Sequence, residues 1–124
     1  MKLALIAALA AALLGGCAGT PTAKRLGATE PGDEGPAPTS HAIFIEKGLK
    51  SGLKDPYSAI IKVGEPFKSS CSLGAFGRHY AWAVPVTYNA KNSYGGYVGE
   101  QREYWFFRHG APSKRSLRPG GHCF

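Results

Sequence analysis

Three side-chain types in this 124-residue chain could carry chemistry: three cysteines, four histidines and a thin set of carboxylates. Cys17 stands just past an apolar run, a thiol with no other cysteine near it. Cys71 and Cys123 lie 52 residues apart and could oxidise together. The alternatives are two free thiols, or Cys123 pairing with another molecule. A bridge closing a loop of that length stabilises by roughly 4 kcal/mol in the chain-entropy account. His41, His79, His109 and His122 show none of the H-x-x-x-H, H-E-x-x-H or paired C-x-x-C spacings that hold zinc, so neither a metal nor another cofactor is expected. No G-x-S-x-G elbow is present. Glu100 and Glu103, three apart on an expected strand, project from opposite faces, which suits paired acid–base work poorly. The expectation is a protein that is not an enzyme.

The apolar run explains Cys17. Lys2 is followed by an unbroken Leu/Ala/Ile stretch from Leu3 to Leu14. Twelve residues cannot cross a bilayer core, which takes about 20 in a helix, but they match the roughly 7–15-residue apolar centre of a secretory signal. The sequence Leu14-Gly15-Gly16-Cys17 that follows resembles the lipobox of bacterial lipoproteins. That resemblance implies a signal peptide over 1–16, diacylglycerol on the Cys17 thiol, and cleavage just before it. Two or three acyl chains then hold the protein to a membrane where a single chain binds only marginally. Ala18 stands where inner-membrane lipoproteins carry Asp, so the implied address is the outer membrane, facing the periplasm. An ordinary secretory signal cut near Ala18 or Ala23 is the other reading. Either way the compartment is oxidising and permits a disulfide.

These groups must be positioned by the remaining chain, which divides in two. Residues 17–40 are dominated by Pro, Gly, Ala, Thr and acidic side chains, a composition too poor in large apolar groups to offset its ordering entropy; a flexible tether is expected. Residues 41–124 should form one small basic α+β domain: an N-terminal helix packed on an antiparallel sheet of three or four strands. Ala42, Ile45, Leu49 and Leu53 recur at helical spacing, with Thr39 or Ser40 available as cap and Asp55-Pro56 as the stop. Gly48 and Gly52 lie one turn apart and would let another chain segment approach closely. Strands are expected over 58–63, 78–88 and 99–108. In the second, Tyr80, Trp82, Val84, Val86 and Tyr88 share one face, while Pro85 implies an edge position or a bulge. Tyr104-Trp105-Phe106-Phe107 is apolar on both faces and should be covered on both. Between these strands, residues 89–96 form a strong turn signal.

Two segments of this domain carry a second resemblance. Leu53-Lys54-Asp55-Pro56-Tyr57-Ser58-Ala59 and Asn89-Ala90-Lys91-Asn92-Ser93-Tyr94-Gly95-Gly96-Tyr97 are similar to the paired L-K-D-P-x-S-A and N-x-K-N-S-[YF]-G-G-Y segments of a group of small bacterial envelope proteins without an assigned activity. Members often place a cysteine shortly before the Asn-rich turn, where this chain reads Val84-Pro85-Val86-Thr87. The resemblance implies the α+β fold and the envelope, not a reaction. Asp55, Pro56, Ser58, Gly95 and Gly96 read as turn-forming; Lys91, Asn92, Tyr94 and Tyr97 read as groups the loop could present to a partner.

Charge points the same way. Beyond residue 40 there are twelve Lys and Arg against five Asp and Glu, with Arg108, Lys114, Arg115 and Arg118 in a Gly/Pro/Ser-rich tail that has no acid. Such a surface suits an acidic envelope protein, anionic lipid or lipid A phosphates, at about 1 kcal/mol per cation near an anionic membrane; export argues against nucleic acid. The leading expectation is a lipid-anchored binding or assembly accessory. An inhibitor of a periplasmic or incoming hydrolase is the alternative, and a minor envelope enzyme the third.

Overall fold

In the computed structural model of the chain, residues 27–124 are described. The expected signal segment 1–16, Cys17 with its lipid, and residues 18–26 lie outside them. The described chain is α+β, as its patterning predicts: helix α1 (His41–Gly52) packs on a sheet of five antiparallel strands, β1 (Ile60–Val63), β2 (Phe67–Ser72), β3 (Arg78–Asn89), β4 (Gln101–Arg108) and β5 (Ala111–Ser116). Two strands exceed the expectation. β2 (FKSSCS) is polar and weakly alternating, and β5 (APSKRS) is a sheet edge with Pro112 as its second residue, so neither carries a clear period-2 signal. No helix among the described residues is long and apolar enough to cross a membrane.

β3 is the spine. β4 pairs along one side of it, while β1 and β2 share the other side, β1 along Val86–Asn89 and β2 along Arg78–Ala83. Pro85 therefore lies neither on an edge strand nor at a bulge of its own strand. A residue's N–H and C=O in a strand face the same neighbour. The Pro85 carbonyl accepts from Gly64 N at 2.8 Å, so its missing N–H faces the gap where β1 ends and β2 has not begun. The interruption of the partner, rather than of β3, accommodates the proline. Gly64 is required there, since a Cβ would lie 2.6 Å from Pro85 Cγ.

The two faces of the sheet have different covers. On one, Ile45 and Leu49 of α1 bury Val84, Val86, Trp105 and Phe107, with Ile61, Val63, Trp82 and Tyr88 around them. Ala42, expected on this stripe, is exposed; His41 and Phe44 instead lie against Phe107. Ser40 precedes α1 without a side-chain capping bond, whereas Asp55 accepts from Ser58 N and caps the 3₁₀ turn Pro56–Ser58 as its type predicts. On the opposite face, Phe106, Ala81, Ala83 and Cys71 are fully buried with Cys123 against them. The cover is the C-terminal segment. It bonds β2 through Gly120 N to Ser70 O, Ser72 N to Gly121 O and Cys123 N to Ser72 O, and bonds β5 through reciprocal Arg115–Phe124 amide contacts of 2.8 and 2.9 Å. The chain end thus joins the two edges of the sheet. A Cys71–Cys123 disulfide, Cα atoms 5.2 Å apart, pins it there.

Residues 27–40 depart from the expected tether. Thr29 exchanges hydrogen bonds with Tyr80 through its hydroxyl and donates its amide to Arg78 O. Gly35 O accepts from Trp82 Nε1 at 2.9 Å, Glu34 O accepts from His109 N, and Asp33 pairs with Arg108 at 2.7 Å. Polar bonds to the ends of β3 and β4 order this strap, which composition scored by apolar content does not register.

Two expected outcomes follow from this packing. A Cβ on Gly48 would run into the Trp105 ring, whereas Gly52 faces open space. Gly48→Ala should therefore lower the free energy of unfolding by about 1–3 kcal/mol despite better helix propensity. Gly52→Ala should be neutral or stabilise by about 0.5 kcal/mol, both measured by urea unfolding. Cys123→Ser should cost about 2–4 kcal/mol in the same measurement and expose the Ser72 and Phe124 amides to hydrogen exchange.

Candidate functional site

The two sequence segments singled out above meet at one end of the molecule, and Ser58 is the joint. Its own backbone is set by the Asp55 cap (Ser58 N to Asp55 Oδ1, 3.2 Å), with Pro56 opening the turn at fixed φ. Ser58 Oγ donates to Asp55 O at 2.9 Å and accepts from Lys91 N at 2.9 Å, while Ser58 O accepts from Tyr97 OH at 3.2 Å. A single serine thus binds the turn before β1 to the loop between β3 and β4.

That loop is internally braced. Asn92 Oδ1 accepts from Tyr94 N and Gly96 N, Asn92 N donates to Gly96 O, and Lys91 bridges to Tyr97 as an isolated antiparallel pair. Gly95 takes up the left-handed backbone (φ 81°) that the turn needs, and Gly96 does not. Lys91 Nζ lies 5.5 Å from the centre of the Tyr97 ring, a cation–π distance. The outward groups are aromatic: Tyr57 is 100% exposed, Tyr94 96% and Tyr97 48%, flanked by exposed Ile60 and Val98. Tyr57 was missed as a site residue because it occupies the variable position of its segment. Its signal is the Pro56 turn, which tips position 57 away from the sheet.

The basic residues expected to act with this loop do not join it. Arg108 stands at the opposite end of β4, about 23 Å along the strand at roughly 3.3 Å per residue. There its guanidinium donates to Tyr80 O and to Asp33 at 2.7 Å each, so it serves the strap. Arg115 lies between the Trp105 and Phe124 rings, 5.1 and 5.2 Å from their centres. It pairs with Glu103 at 3.3 Å, whose buried carboxylate also accepts from Trp105 Nε1 at 2.6 Å. Both arginines are internal ties, and the acid-free tail begins as strand β5. Lys114 and Arg118 make no ion pair among the described residues.

Two further titratable groups are buried. His79 lies beneath the strap, with Nδ1 3.3 Å from Gly27 O and Nε2 2.8 Å from Ser113 Oγ, whose hydroxyl also reaches Phe106 O at 3.0 Å. A neutral imidazole carries one proton and can donate to only one of these partners. Burial pushes its pKa below the ordinary 6.5; the Gly27 carbonyl opposes this, and the Arg108 and Lys114 charges add to it. No carboxylate contributes, so the histidine has no acid partner. Glu34, 4% exposed, accepts from Gly32 N at 2.9 Å, which with its own backbone N–H and Lys68 holds its carboxyl below the ordinary 4.5. Its second oxygen has no hydrogen bond, with Lys68 Nζ at 3.5 Å. Among the described residues no three His, Cys, Asp or Glu side chains converge as metal ligands.

No protein-family model, curated protein or solved structure matches the chain.

Acid should loosen the strap. A histidine whose folded pKa lies below its unfolded one contributes its full stability above pH 6.5 and loses it as pH falls, because the unfolded chain takes up the proton first. Guanidinium unfolding should show lower stability at pH 5.5 than at pH 7.5, and His79→Asn should flatten that difference. An unchanged slope in the variant would assign the effect elsewhere. Glu34 adds a further loss, with the same sign, only below about pH 4.5.

Proposed function

We propose that this chain is a lipid-anchored, non-enzymatic binding accessory of the bacterial cell envelope. In this reading Cys17 carries the lipid and the tyrosine-rich end holds an acidic envelope protein. The anchor is supported by the apolar run and Leu14-Gly15-Gly16-Cys17, and the outer-membrane address by Ala18. The observation that carries the binding role is the clasp at Ser58, which gathers Tyr57, Tyr94 and Tyr97 with Lys91 at one end. Exposed tyrosines on a braced loop offer large contact area with little rotamer entropy to lose, and interface hot spots are rich in them. Neighbouring Lys54 and Lys91 form no ion pair among the described residues, so their charge is available to an acidic surface.

One feature favours the inhibitor reading as second choice. Tyr94 projects from a loop held by four hydrogen bonds of Asn92, a shape suited to entering an enzyme cleft.

The binding reading is tested by photocrosslinking from position 94 in intact cells. One acidic protein should be captured, and the combination Tyr57→Ala, Tyr94→Ala should weaken its affinity at least tenfold while the unfolding midpoint stays put. An unaltered affinity would overturn the binding role. Mass spectrometry of the mature chain tests the anchor separately, with a diacylglyceryl adduct on an N-terminal Cys17 expected. Slowing of a purified muramidase or protease by micromolar protein, lost in Tyr94→Ala, would select the second reading.

A further inference from the structure

The sheet face opposite α1 is covered only where Phe106 lies. Toward the β1 end it is open, and it carries two cations that nothing else uses. Lys62 and Arg102 both stand opposite Thr87, one from each side, across β1–β3–β4. With strands about 4.8 Å apart, their Cα atoms are some 10 Å from one another with the Thr87 hydroxyl between. Neither side chain makes a hydrogen bond, ion pair or ring contact among the described residues, although those of six other cations do. Like charges flanking one sheet position do not stabilise a fold. They do present a converging pair to a dianion.

The surroundings narrow the class. Lys62, Thr87 and Arg102 line a hollow of about 330 Å³ whose other walls include the Tyr104 and Pro85 rings. Lys62 and Thr87 also line an adjoining hollow of about 170 Å³ that reaches Asn89 and Glu100. The two hollows share Lys62 and Thr87 and together make a shallow trough in our reading, with ring surfaces on one side of the cations and an amide and a carboxylate on the other. A bare anion would use the centre alone. A lipid headgroup would require an apolar continuation, whereas the Asn89–Glu100 end offers hydrogen-bond partners suited to hydroxyl groups.

We infer that this trough is a binding site for a phosphorylated saccharide. The phosphate lies between Lys62 and Arg102 with the Thr87 hydroxyl donating to it. The sugar rests against the Tyr104 and Pro85 rings or turns its hydroxyls toward Asn89 and Glu100. The site uses none of the tyrosines of the neighbouring loop and does not depend on that loop's proposed role. Because the second phosphate pKa is near 6, affinity should rise as pH climbs from 5 to 7.

The test is calorimetric and NMR titration of the full-length protein in neutral detergent with glucosamine 1-phosphate. Saturable binding is expected, with shifts at Lys62, Thr87 and Arg102, weakened at least tenfold in Lys62→Gln, Arg102→Gln. That variant should keep its unfolding midpoint because neither side chain has a partner to lose. Lys114→Gln, which removes a cation elsewhere, should leave binding unchanged; an equal loss there would reduce the effect to net charge and overturn the site. Unphosphorylated glucosamine should fail to bind, and inorganic phosphate should bind more weakly than the sugar phosphate. Equal affinity for inorganic phosphate would overturn the saccharide assignment. Binding only to phosphatidic acid vesicles would replace it with a membrane contact, and no binding to any probe would overturn the site altogether.

Discussion

Four consecutive aromatic side chains in a β-strand point alternately to opposite sides, so one cover cannot bury them all. Tyr104-Trp105-Phe106-Phe107 places this demand on β4, and the architecture answers it with two covers of different origin. The helix supplies one with Ile45 and Leu49, and approaches closely because Gly48 leaves room for the Trp105 ring. The chain terminus supplies the other. Residues 120–124 are short of apolar groups and would not hold a sheet face by burial alone. Backbone bonds to both β2 and β5, with the Cys71–Cys123 disulfide, keep them over Phe106. In a domain this small, where the buried fraction of the surface is modest, a covalent tie at that place has the most to contribute.

β3 carries the consequences outward. Because Pro85 cannot donate, the partner on that side is split into β1 and β2, and the connection between them passes at Gly64. The split leaves the β1 end of the sheet without the terminal cover that the β2 end receives. The open trough beside Lys62 and Arg102 and the tyrosine-rich loop both occupy this uncovered end. At the other end, the cations Arg108 and Lys68 are matched by strap carboxylates Asp33 and Glu34. Two cations are thus matched where the strap lies, while Lys62 and Arg102 stay unpaired at the open end.

The strap shows a different kind of stability. Its bonds are polar, several run to the start of β3 and one to the His109 amide just past β4, and they surround a buried histidine. Such contacts exchange for water at small net gain, so the strap is the part of the described chain most responsive to proton concentration.

Much was legible from residues that act locally. The alternation of β3, the helical spacing of Ile45 and Leu49, the Asp55-Pro56 cap and the demand for two-sided cover of β4 depend on neighbours within a few positions. A disulfide between the last two cysteines was one of three open readings, and the structure contains it. Polar β2 and β5, the ordered 27–40 strap and the internal use of Arg108 and Arg115 were not legible. The strap and the two arginines are held by partners more than ten residues away that no periodicity announces, and β2 and β5 by their pairing with β3 and β4. The two tyrosine-bearing segments could be named in the chain, but that one serine joins them could not. Turn chemistry and burial period are properties of short stretches, and sequence determines them. Which cation finds a carboxylate, and which stays free on an open face, depends on strand order, and only the closed sheet decides it.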